Sequence, residues 1–317
     1  MVKKKKNKRT ILDGILDVLT LGILITTLFG FLGRFHWFFD LFSHFRVQYM
    51  QLCLVPFFIT MWRRRNKWAA GLVMLVCLNY AFVLPLYLGK PAPENKNLIR
   101  AMLMNINASN GNTEQVLESI KQFSPDVLLL EEVTPKWMHE LEILNETYPY
   151  CIAKPRADCF GIMMFSRYPL EHGKVIEIGN AGVPSIVAEM YSPQGVVSII
   201  GTHPLPPVGA EYSNHRNSQL AALPDVVKEQ KYPVLLIGDL NVTPWSTYFT
   251  QLIKESELKN SMKGFGHQPS WPKDIWFMRI PLDHMLYSKG ITIHNRMVGR
   301  DVGSDHFPVI VDFTVER

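Results

Sequence analysis

The sequence predicts an α/β (α+β) domain over residues 98–317, with strands packed sheet on sheet and helices outside, preceded by a helical membrane region over residues 11–89. Three observations indicate this division. Apolar runs without charged residues occur before residue 89, short strand-like runs alternate with amphipathic stretches after residue 98, and the charge changes sign between the two parts.

The charge pattern separates two parts of the 317-residue chain. Residues 1–97 contain 14 Lys and Arg against 4 Asp and Glu, and residues 98–317 contain 19 against 24, so the formal charges are +10 and −5. A basic part that also holds long apolar runs is typical of a membrane protein. An acidic domain lacks the basic excess that neutralises nucleic-acid phosphates.

Three apolar runs predict three membrane-spanning helices, at Val18–Gly33, Val47–Trp62 and Trp68–Leu88. A bilayer requires roughly 17–25 residues for each spanning helix. The middle run is short and contains Gln48 and Gln51, which leaves a re-entrant or interfacial segment as its alternative. A cleaved signal peptide is not expected, because no small-residue cleavage site follows the first run and further apolar runs come behind it.

Two basic clusters give the expected orientation. Lys3–Arg9, inside a basic N-terminus at residues 1–10, and Arg63–Lys67 are both expected in the cytoplasm. Three spans satisfy both clusters and place the remaining chain on the outer side. We therefore expect a multi-pass protein of the cell (inner) membrane with a periplasmic, or otherwise extracytoplasmic, domain at residues 98–317. Residues 90–97, with two prolines and no long apolar side chain, predict an exposed linker.

Short apolar runs and amphipathic stretches alternate after the linker. Strands are predicted at residues 98–104, 126–130, 161–165, 186–190, 196–201, 233–237, 285–287 and 309–313, and helices at residues 113–123, 136–144 and 218–229. Few helices among many short strands indicate sheets packed face to face with helices outside. Cys151 and Cys159 leave a disulfide open, since an oxidising exterior permits one.

Polar side chains lie at six edges of the predicted strands, four after a strand and two before one. They are Asn105 and Asn107, Glu131 and Glu132, Thr202 and His203, Asp239 and Asn241, Asp283 and His284, and Ser304 to His306. Any one of these alone is more often a turn or a solvated surface. Together they predict a hard-oxygen metal site with two histidines, which suits Mg²⁺ or Mn²⁺ and phosphate rather than zinc.

The order of these motifs closely resembles the endonuclease/exonuclease/phosphatase superfamily, whose fold is DNase-I-like. The motifs are Asn105, Leu-Glu-Glu ending at residue 132, Thr202-His203, Gly-Asp-Leu-Asn at 238–241, Leu-Asp-His at 282–284 and Ser-Asp-His at 304–306. The arrangement of apolar runs is similar to that of bacterial members with several N-terminal spans. The resemblance implies a four-layer αββα sandwich and divalent-metal-dependent hydrolysis of a phosphoester.

The resemblance also implies residue roles. Glu132 would be the principal metal ligand, and Asn105 would assist it. Asp305 would bind the metal or belong to the hydrogen-bond network around it. Asp239 orients or deprotonates the attacking water, and Asp283 orients a histidine. The substrate phosphate is contacted by Asn241, His203, His306 and Asn110.

Three positions depart from the pattern of the superfamily. Glu131 stands where members often have Gln and is expected to add negative charge near the metal. Cys159 and Asn107 stand where abasic-site nucleases have Tyr and Asp, which weakens the interpretation as an abasic-site repair enzyme.

The expected substrate is a lipid-linked phosphate or phosphodiester, because the acidic domain follows the membrane region after a short linker. A periplasmic or surface metal-dependent nuclease is the first alternative, and a non-catalytic binding module on the same fold is the second. The expected partners are the lipid bilayer and the phosphoester; the domain charge does not favour nucleic acid, and no protein partner is inferred. Residues 265–280 either present aromatic side chains to lipid headgroups or pack as an ordinary long loop.

Overall fold

The computed structural model describes residues 10–89, 92, 93, 95 and 97–316. Most of the predicted basic N-terminus, and residues 90, 91, 94 and 96 of the predicted linker, lie outside the described residues. The chain forms two compact units, which divide between Leu84 and Pro85.

The first unit is helical. Its helices are α1 (Ile11–Phe29), α2 (Trp37–Leu41), α3 (Arg46–Trp62) and α4 (Asn66–Val83). Thr10 begins α1 with a capping box, in which its hydroxyl accepts from the Asp13 N–H and the Asp13 carboxylate accepts from the Thr10 N–H. The three long helices enclose a small apolar core made by Ile23, Tyr49, Cys53, Leu72 and Leu75.

Polar contacts at both ends of the first unit show that its long helices run up, down and up. At one end the Arg63 guanidinium, just after α3, contacts both carboxylate oxygens of Asp13 at 2.8 and 2.9 Å. At the other end Arg46, which begins α3, donates to the Thr27 carbonyl and to the Asn79 side chain, both at 3.2 Å. The end of α4 is therefore at the opposite end of the unit from the start of α1.

Two helical segments are long and apolar enough to cross a membrane, namely Ile11–Leu32 and Asn66–Leu86. Helix α3 has 17 residues, about 26 Å at 1.5 Å per residue, against a hydrocarbon thickness of about 30 Å. Apolar side chains on the outside of the unit are widely exposed, among them Val55 and Phe58, both at 67 %. The first unit is thus compatible with a membrane region, and the third span stays a prediction.

The second unit contains two six-stranded mixed sheets. In chain order its elements are β1 (Ile99–Asn105), α5 (Thr113–Phe123), β2 (Val127–Glu131), α6 (Pro135–Glu140), β3 (Tyr150–Lys154), β4 (Ile162–Ser166), β5 (Leu170–Glu177), β6 (Pro184–Ser192), β7 (Gly195–Thr202), α7 (Gly209–Lys228), β8 (Val234–Asp239), α8 (Thr247–Ser256), β9 (Lys259–Asn260), β10 (Asp283–Tyr287), β11 (Ile291–Val298) and β12 (Val309–Val315). The strand orders are β11-β12-β1-β2-β4-β3 and β5-β6-β7-β8-β10-β9.

Three apolar layers hold the unit together. Alternate residues of both sheets, such as Leu129 and Ile237, face each other in the central layer. Their neighbours along the strands face the other way: Leu128 packs in the layer that includes α5 and α6 residues, and Leu236 in the layer that includes α7 and α8 residues. Because both faces of each sheet are buried, the central strands are continuous apolar runs. The predicted four-layer αββα sandwich is confirmed.

The directions of the strands place the polar motifs at one end of the sandwich. Strands β1 and β2 are parallel and end together at Asn105 and Glu131, while β7 and β8 are also parallel. Strand β10 is antiparallel to β8, so that Asp283 at its start lies opposite Asp239 at the end of β8.

The structure differs from the sequence-based expectation in several elements. Helix α7 begins nine residues before the predicted start, and helix α8 and strands β3, β5, β9 and β11 have no counterpart in the prediction. Cys151 and Cys159 are free thiols, so the disulfide left open by the sequence is not formed.

Candidate active site

A hydrogen bond between the two sheets supports Asp239. Glu131, which ends β2 in one sheet, accepts from the Asp239 N–H in the other sheet with both carboxylate oxygens, at 3.0 and 3.2 Å. A Cβ at Gly238 would lie 1.9 Å from the Thr202 carbonyl oxygen of the neighbouring strand β7, and 3.1 Å from a Glu131 oxygen of the other sheet. Glycine at residue 238 is thus required chiefly by the close approach of β7 within its own sheet, and it also leaves room for Glu131.

The surroundings of Glu131 bear on the expectation that it adds negative charge near a metal. Glu131 is fully buried. Burial, and then the carboxylates of Asp239 and Asp283, raise the pKa of Glu131 well above its usual range.

Asp239 lies between two imidazoles. Its Oδ2 is 3.8 Å from His203 Nε2 and 3.6 Å from His306 Nε2. Its Oδ1 accepts from the Asn241 N–H at 2.9 Å. The carboxylate is therefore held in place by its own loop and directed at both histidines.

His306 and Asp283 form a buried pair, with 2.9 Å between His306 Nδ1 and Asp283 Oδ2. Burial alone would lower the pKa of His306, but the carboxylates of Asp283 and Asp239 outweigh it and raise that pKa to about 10. Burial opposes ionisation of Asp283 too, yet His306 keeps the pKa of Asp283 below its usual value. His306 is consequently an imidazolium at neutral pH.

His203 has the opposite character. Burial lowers its pKa, and the nearby carboxylate of Asp239 only partly offsets this effect. Its Nδ1 is buried without a hydrogen-bond partner among the described residues. The site therefore combines one cationic and one neutral imidazole around Asp239, whose own pKa is raised by burial against the influence of His306.

Glu132 and Asn105 form a carboxylate–amide pair beside this centre. The Asn105 Nδ2 donates to Glu132 Oε1 at 3.0 Å, and the Ala108 N–H donates to Oε2 at 2.9 Å. Glu132 has a left-handed backbone, with φ of 62°, as do Asn107 and Asn241 with φ of 58° and 50°. Such conformations cost free energy in non-glycine residues and concentrate at functional sites.

Asp305 is held by two neutral donors. Its Oδ1 accepts from Asn107 Nδ2 at 2.7 Å, and its Oδ2 accepts from Trp271 Nε1 at 3.0 Å. Burial raises the pKa of Asp305, but His306 and these hydrogen bonds lower it further than burial raises it. Asp305 is therefore an anion next to His306.

The carboxylates at this end of the sandwich suit a divalent cation. Among the described residues, no Lys or Arg forms an ion pair with Glu132, Asp239 or Asp305. Asp239, Asp283 and His306 can each offer one ligand atom within 4.8 Å of one another. Since a protonated His306 cannot ligate a metal, the Glu132–Asn105 pair, with its hard oxygens, is the better receptor for Mg²⁺ or Mn²⁺.

Not every predicted residue joins the centre. Asn110 directs its side-chain amide to the Val302 carbonyl at 3.0 Å, in the loop beside Gly303, and among the described residues its side chain forms no hydrogen bond with the other predicted ones. Asn241 donates through Nδ2 to the Pro204 carbonyl at 2.9 Å, which ties its loop to that of His203. His284 is a packing residue that contacts the Val242 carbonyl at 2.7 Å.

Three supporting residues carried no recognisable sequence signal. Arg216, in the polar half of α7, donates to the Asn241 carbonyl at 3.0 Å. Ser270 accepts from the Asp283 N–H at 3.3 Å, and Trp271 contacts Asp305. Ser304 did have a signal, since it precedes Asp305-His306, and its hydroxyl donates to the Asn105 carbonyl at 2.7 Å.

Asp283→Asn is expected to lower the pKa of His306 by about 1–3 units, because it removes the nearest carboxylate from the imidazolium. The titration of the imidazole resonances by NMR, in the full chain in detergent, measures this shift. Asp274→Asn, which changes an exposed carboxylate of the second unit, is the matched control and should leave His306 unchanged. A His306 pKa equal in both variants would contradict the pairing.

Gly238→Ala is expected to reduce the free energy of unfolding by about 1–3 kcal/mol, because its methyl group overlaps the Thr202 carbonyl of the neighbouring strand β7. Denaturant unfolding of the full chain in detergent measures the loss. Gly111→Ala is the control, since a Cβ at Gly111 meets nothing within 4 Å. Equal stability of the two variants would show that β7 does not approach Gly238 as closely as described.

Two bacterial proteins are similar in sequence to part of this chain. A UPF0294 protein of Vibrio parahaemolyticus is 31% identical over 98 residues, which are 31% of this chain and 34% of that protein. A UPF0294 protein of Vibrio campbellii is 27% identical over 152 residues, 48% of this chain and 44% of that one. The alignments thus span less than half the length of either relative.

Solved structures match the second unit. The endonuclease/exonuclease/phosphatase from Beutenbergia cavernae is 19% identical, with a TM-score of 0.55 over 70% of this chain and 72% of its own. The human Nocturnin catalytic domain with bound sulfate is 20% identical, with a TM-score of 0.59 over 73% and 99%. The D. rerio TDP2 complex with a single-strand DNA product is 14% identical, with a TM-score of 0.59 over 69% and 100%. These similarities show a DNase-I-like fold.

The sequence profile of the Endonuclease/Exonuclease/phosphatase family matches residues 102–306, which include every catalytic and metal-binding residue predicted above. Members of this family are hydrolases that act on phosphoesters, nucleases and phosphatases among them, and they typically depend on a divalent metal. The chain belongs to the endonuclease/exonuclease/phosphatase family.

Proposed function

We propose that the chain is a membrane-anchored phosphoester hydrolase that uses Mg²⁺ or Mn²⁺ and acts outside the cytoplasm on a lipid-linked phosphate or phosphodiester. The observation that carries the hydrolytic part is the sequence of contacts from Asp283 through His306 to Asp239, at 2.9 and 3.6 Å. This set lies at the same end of the sandwich as the Glu132–Asn105 pair, where the Glu131 carboxyl bonds to the Asp239 N–H.

Each residue of the candidate site has a different role in the proposed hydrolysis. A cation held by Glu132 and Asn105 would neutralise phosphate oxygens and acidify water. Asp239 Oδ2 accepts the proton of the attacking water, a role favoured by a pKa raised through burial. The His306 imidazolium stabilises the negative charge that develops on the phosphoryl oxygens, and Asp283 maintains its protonation.

Charge and anchoring support the lipid-linked substrate. The acidic residues of 98–317 outnumber the basic ones by five, so the domain lacks the electrostatic attraction on which nucleic-acid binding largely depends. The up-down-up course of α1, α3 and α4 supports three spans, since it takes α4 to the end opposite the Asp13–Arg63 contact. With the basic clusters in the cytoplasm, this course favours an extracytoplasmic second unit.

The full chain in detergent or liposomes is expected to hydrolyse one phosphoester of a panel only when Mg²⁺ or Mn²⁺ is present. The panel contains phospholipids, a polyprenyl diphosphate, plasmid DNA and bis(p-nitrophenyl) phosphate. Asp239→Asn should reduce kcat by about 10²–10⁴, because it removes the proton acceptor. Glu132→Ala should raise the Mg²⁺ concentration needed for half-maximal rate.

Asp225→Asn is the matched control, since Asp225 is an exposed carboxylate on α7. Cleavage of plasmid DNA alone would favour the nuclease alternative. No metal-dependent turnover of any substrate would favour the binding module and refute hydrolysis.

Trypsin added outside intact spheroplasts is expected to cut after Lys231, an exposed residue in the turn before β8, because three spans place this turn outside. Immunoblotting of a C-terminal tag follows the cleavage. Protection in intact spheroplasts, with cutting after permeabilisation, would place the second unit in the cytoplasm.

A further inference from the structure

Residues 271–280 form a closed loop, here called the apolar loop, between β9 and β10. Its base is fastened by backbone hydrogen bonds in both directions between Trp271 and Ile280, at 3.1 and 2.5 Å. Inside it, the Met278 N–H donates to the Ile275 carbonyl at 2.9 Å, and the Arg279 guanidinium donates to the Lys273 carbonyl. The loop therefore has a fixed shape.

The base of the apolar loop is attached to the candidate active site. Trp271 Nε1 donates to Asp305 Oδ2 at 3.0 Å, and the Lys273 N–H donates to the Asp305 carbonyl at 2.8 Å. Asp305 directly precedes His306, whose imidazole contacts Asp239. Anything that binds the apolar loop is thus held near the reacting groups.

The tip of the apolar loop presents three consecutive apolar side chains to solvent. Ile275 is 45 % exposed, Trp276 72 % and Phe277 49 %. Neighbouring charges give no strong attraction of either sign, because Lys273 and Arg279 are equalled in number by Asp274 and Asp301, and Lys273 lies 3.5 and 3.0 Å from those two carboxylates. A rigid, nearly neutral apolar tip favours a partner that offers an apolar or interfacial environment.

The same β9–β10 connection is fastened to the beginning of the second unit. The Leu86 carbonyl accepts from the Gly264 and Gly266 N–H groups at 2.8 and 3.0 Å. The Tyr87 ring lies against Gly266, where a Cβ would come within 2.7 Å of it. Leu86 is also the last residue of the apolar segment Asn66–Leu86, which is long enough to cross a membrane.

Chain connectivity therefore links a membrane exit to the apolar loop. If Asn66–Leu86 crosses a bilayer, Leu86 is at its surface, and the hydrogen-bonded Gly264–Gly266 turn is held there with it. The apolar loop starts five positions after Gly266, a reach of at most about 18 Å at 3.3–3.6 Å per residue. A Trp close to the end of a membrane span, as Trp276 would be, is typical of the boundary between lipid and water.

We propose that Ile275, Trp276 and Phe277 insert into the surface of the bilayer and hold the active site against it. The loop would bring Asp239 and His306 to phosphoesters in lipid headgroups, so this inference deepens the proposed function and rests on it for the substrate. Insertion itself depends on apolar contact, so it should resist high salt.

Fluorescence of a label at the tip tests insertion without any assay of activity. The full chain, with the exposed Cys77, Cys151 and Cys159 replaced by Ser, carries Trp276→Cys labelled with an environment-sensitive dye. In vesicles of phosphatidylethanolamine and phosphatidylglycerol, brominated acyl chains should quench this label, in low and high salt alike. Ile143→Cys is the control, since Ile143 is also apolar and 62 % exposed but lies outside the apolar loop.

Equal quenching at positions 276 and 143 would overturn the proposal. Loss of a dimer in detergent on changing Trp276→Ser would overturn it also, because the tip would then contact a second copy of the chain. Quenching at position 276 without turnover of any phosphoester would support insertion while refuting the proposed function.

Kinetics test what insertion does for catalysis. The triple variant Ile275→Ser, Trp276→Ser, Phe277→Ser should hydrolyse the best lipid substrate in vesicles at least tenfold more slowly. Its rate on soluble bis(p-nitrophenyl) phosphate should stay within twofold of the wild-type rate, as should both rates of Ile143→Ser. An equal loss on both substrates would assign the loop a structural role, and no loss on either would remove its role in docking.

Discussion

The contact on which the site depends is the hydrogen bond from the Asp239 N–H to the buried carboxyl of Glu131. It joins the ends of two strands that belong to different sheets, and the absence of a side chain at residue 238 leaves room for the Glu131 carboxyl, since a Cβ there would lie 3.1 Å from one of its oxygens. In a sandwich, apolar packing fixes the distance between sheets but allows small shifts of one over the other. A directional bond at the edge limits such shifts, so Glu132 on one sheet keeps its place relative to Asp239 on the other.

The electrostatics of the site follow from unequal burial of similar groups. Glu131 and Asp239 are both deprived of water, but only Asp239 has histidines beside it. His203 and His306 are both buried, but only His306 has a second carboxylate behind it. The same residue types thus acquire different protonation states from their neighbours. Such separation of pKa values is how one pocket supplies a proton acceptor and a cation together.

The sequence predicted the central layers well, because strands such as β2 and β8 are buried on both faces and therefore read as continuous apolar runs. It missed β5, an edge strand whose residues are mostly exposed and polar, since no apolar period marks such a strand. The first half of α7 was missed because contacts such as Arg216 with the Asn241 carbonyl, rather than an apolar stripe, hold it. The motif residues were found through their order in the chain. Their supports, Ser270 and Trp271, lie in a long loop where sequence gives no position in space.

The contacts of Arg46 bear on how the helices of the first unit would insert into a membrane. Its guanidinium is enclosed by the Phe31 and Phe82 rings and bonded to Thr27 and Asn79. Arg46 stands at the start of α3, where an arginine opposes insertion of a lone helix by less than the value of about 2.5–3.5 kcal/mol for one at the helix centre, but α3 is also short. Its partners come from both the preceding and the following helix, and Asn79 is synthesised later than α3. In a bilayer, α3 would therefore reach its final place only once α4 has left the ribosome, so the three helices would integrate as a group rather than one at a time.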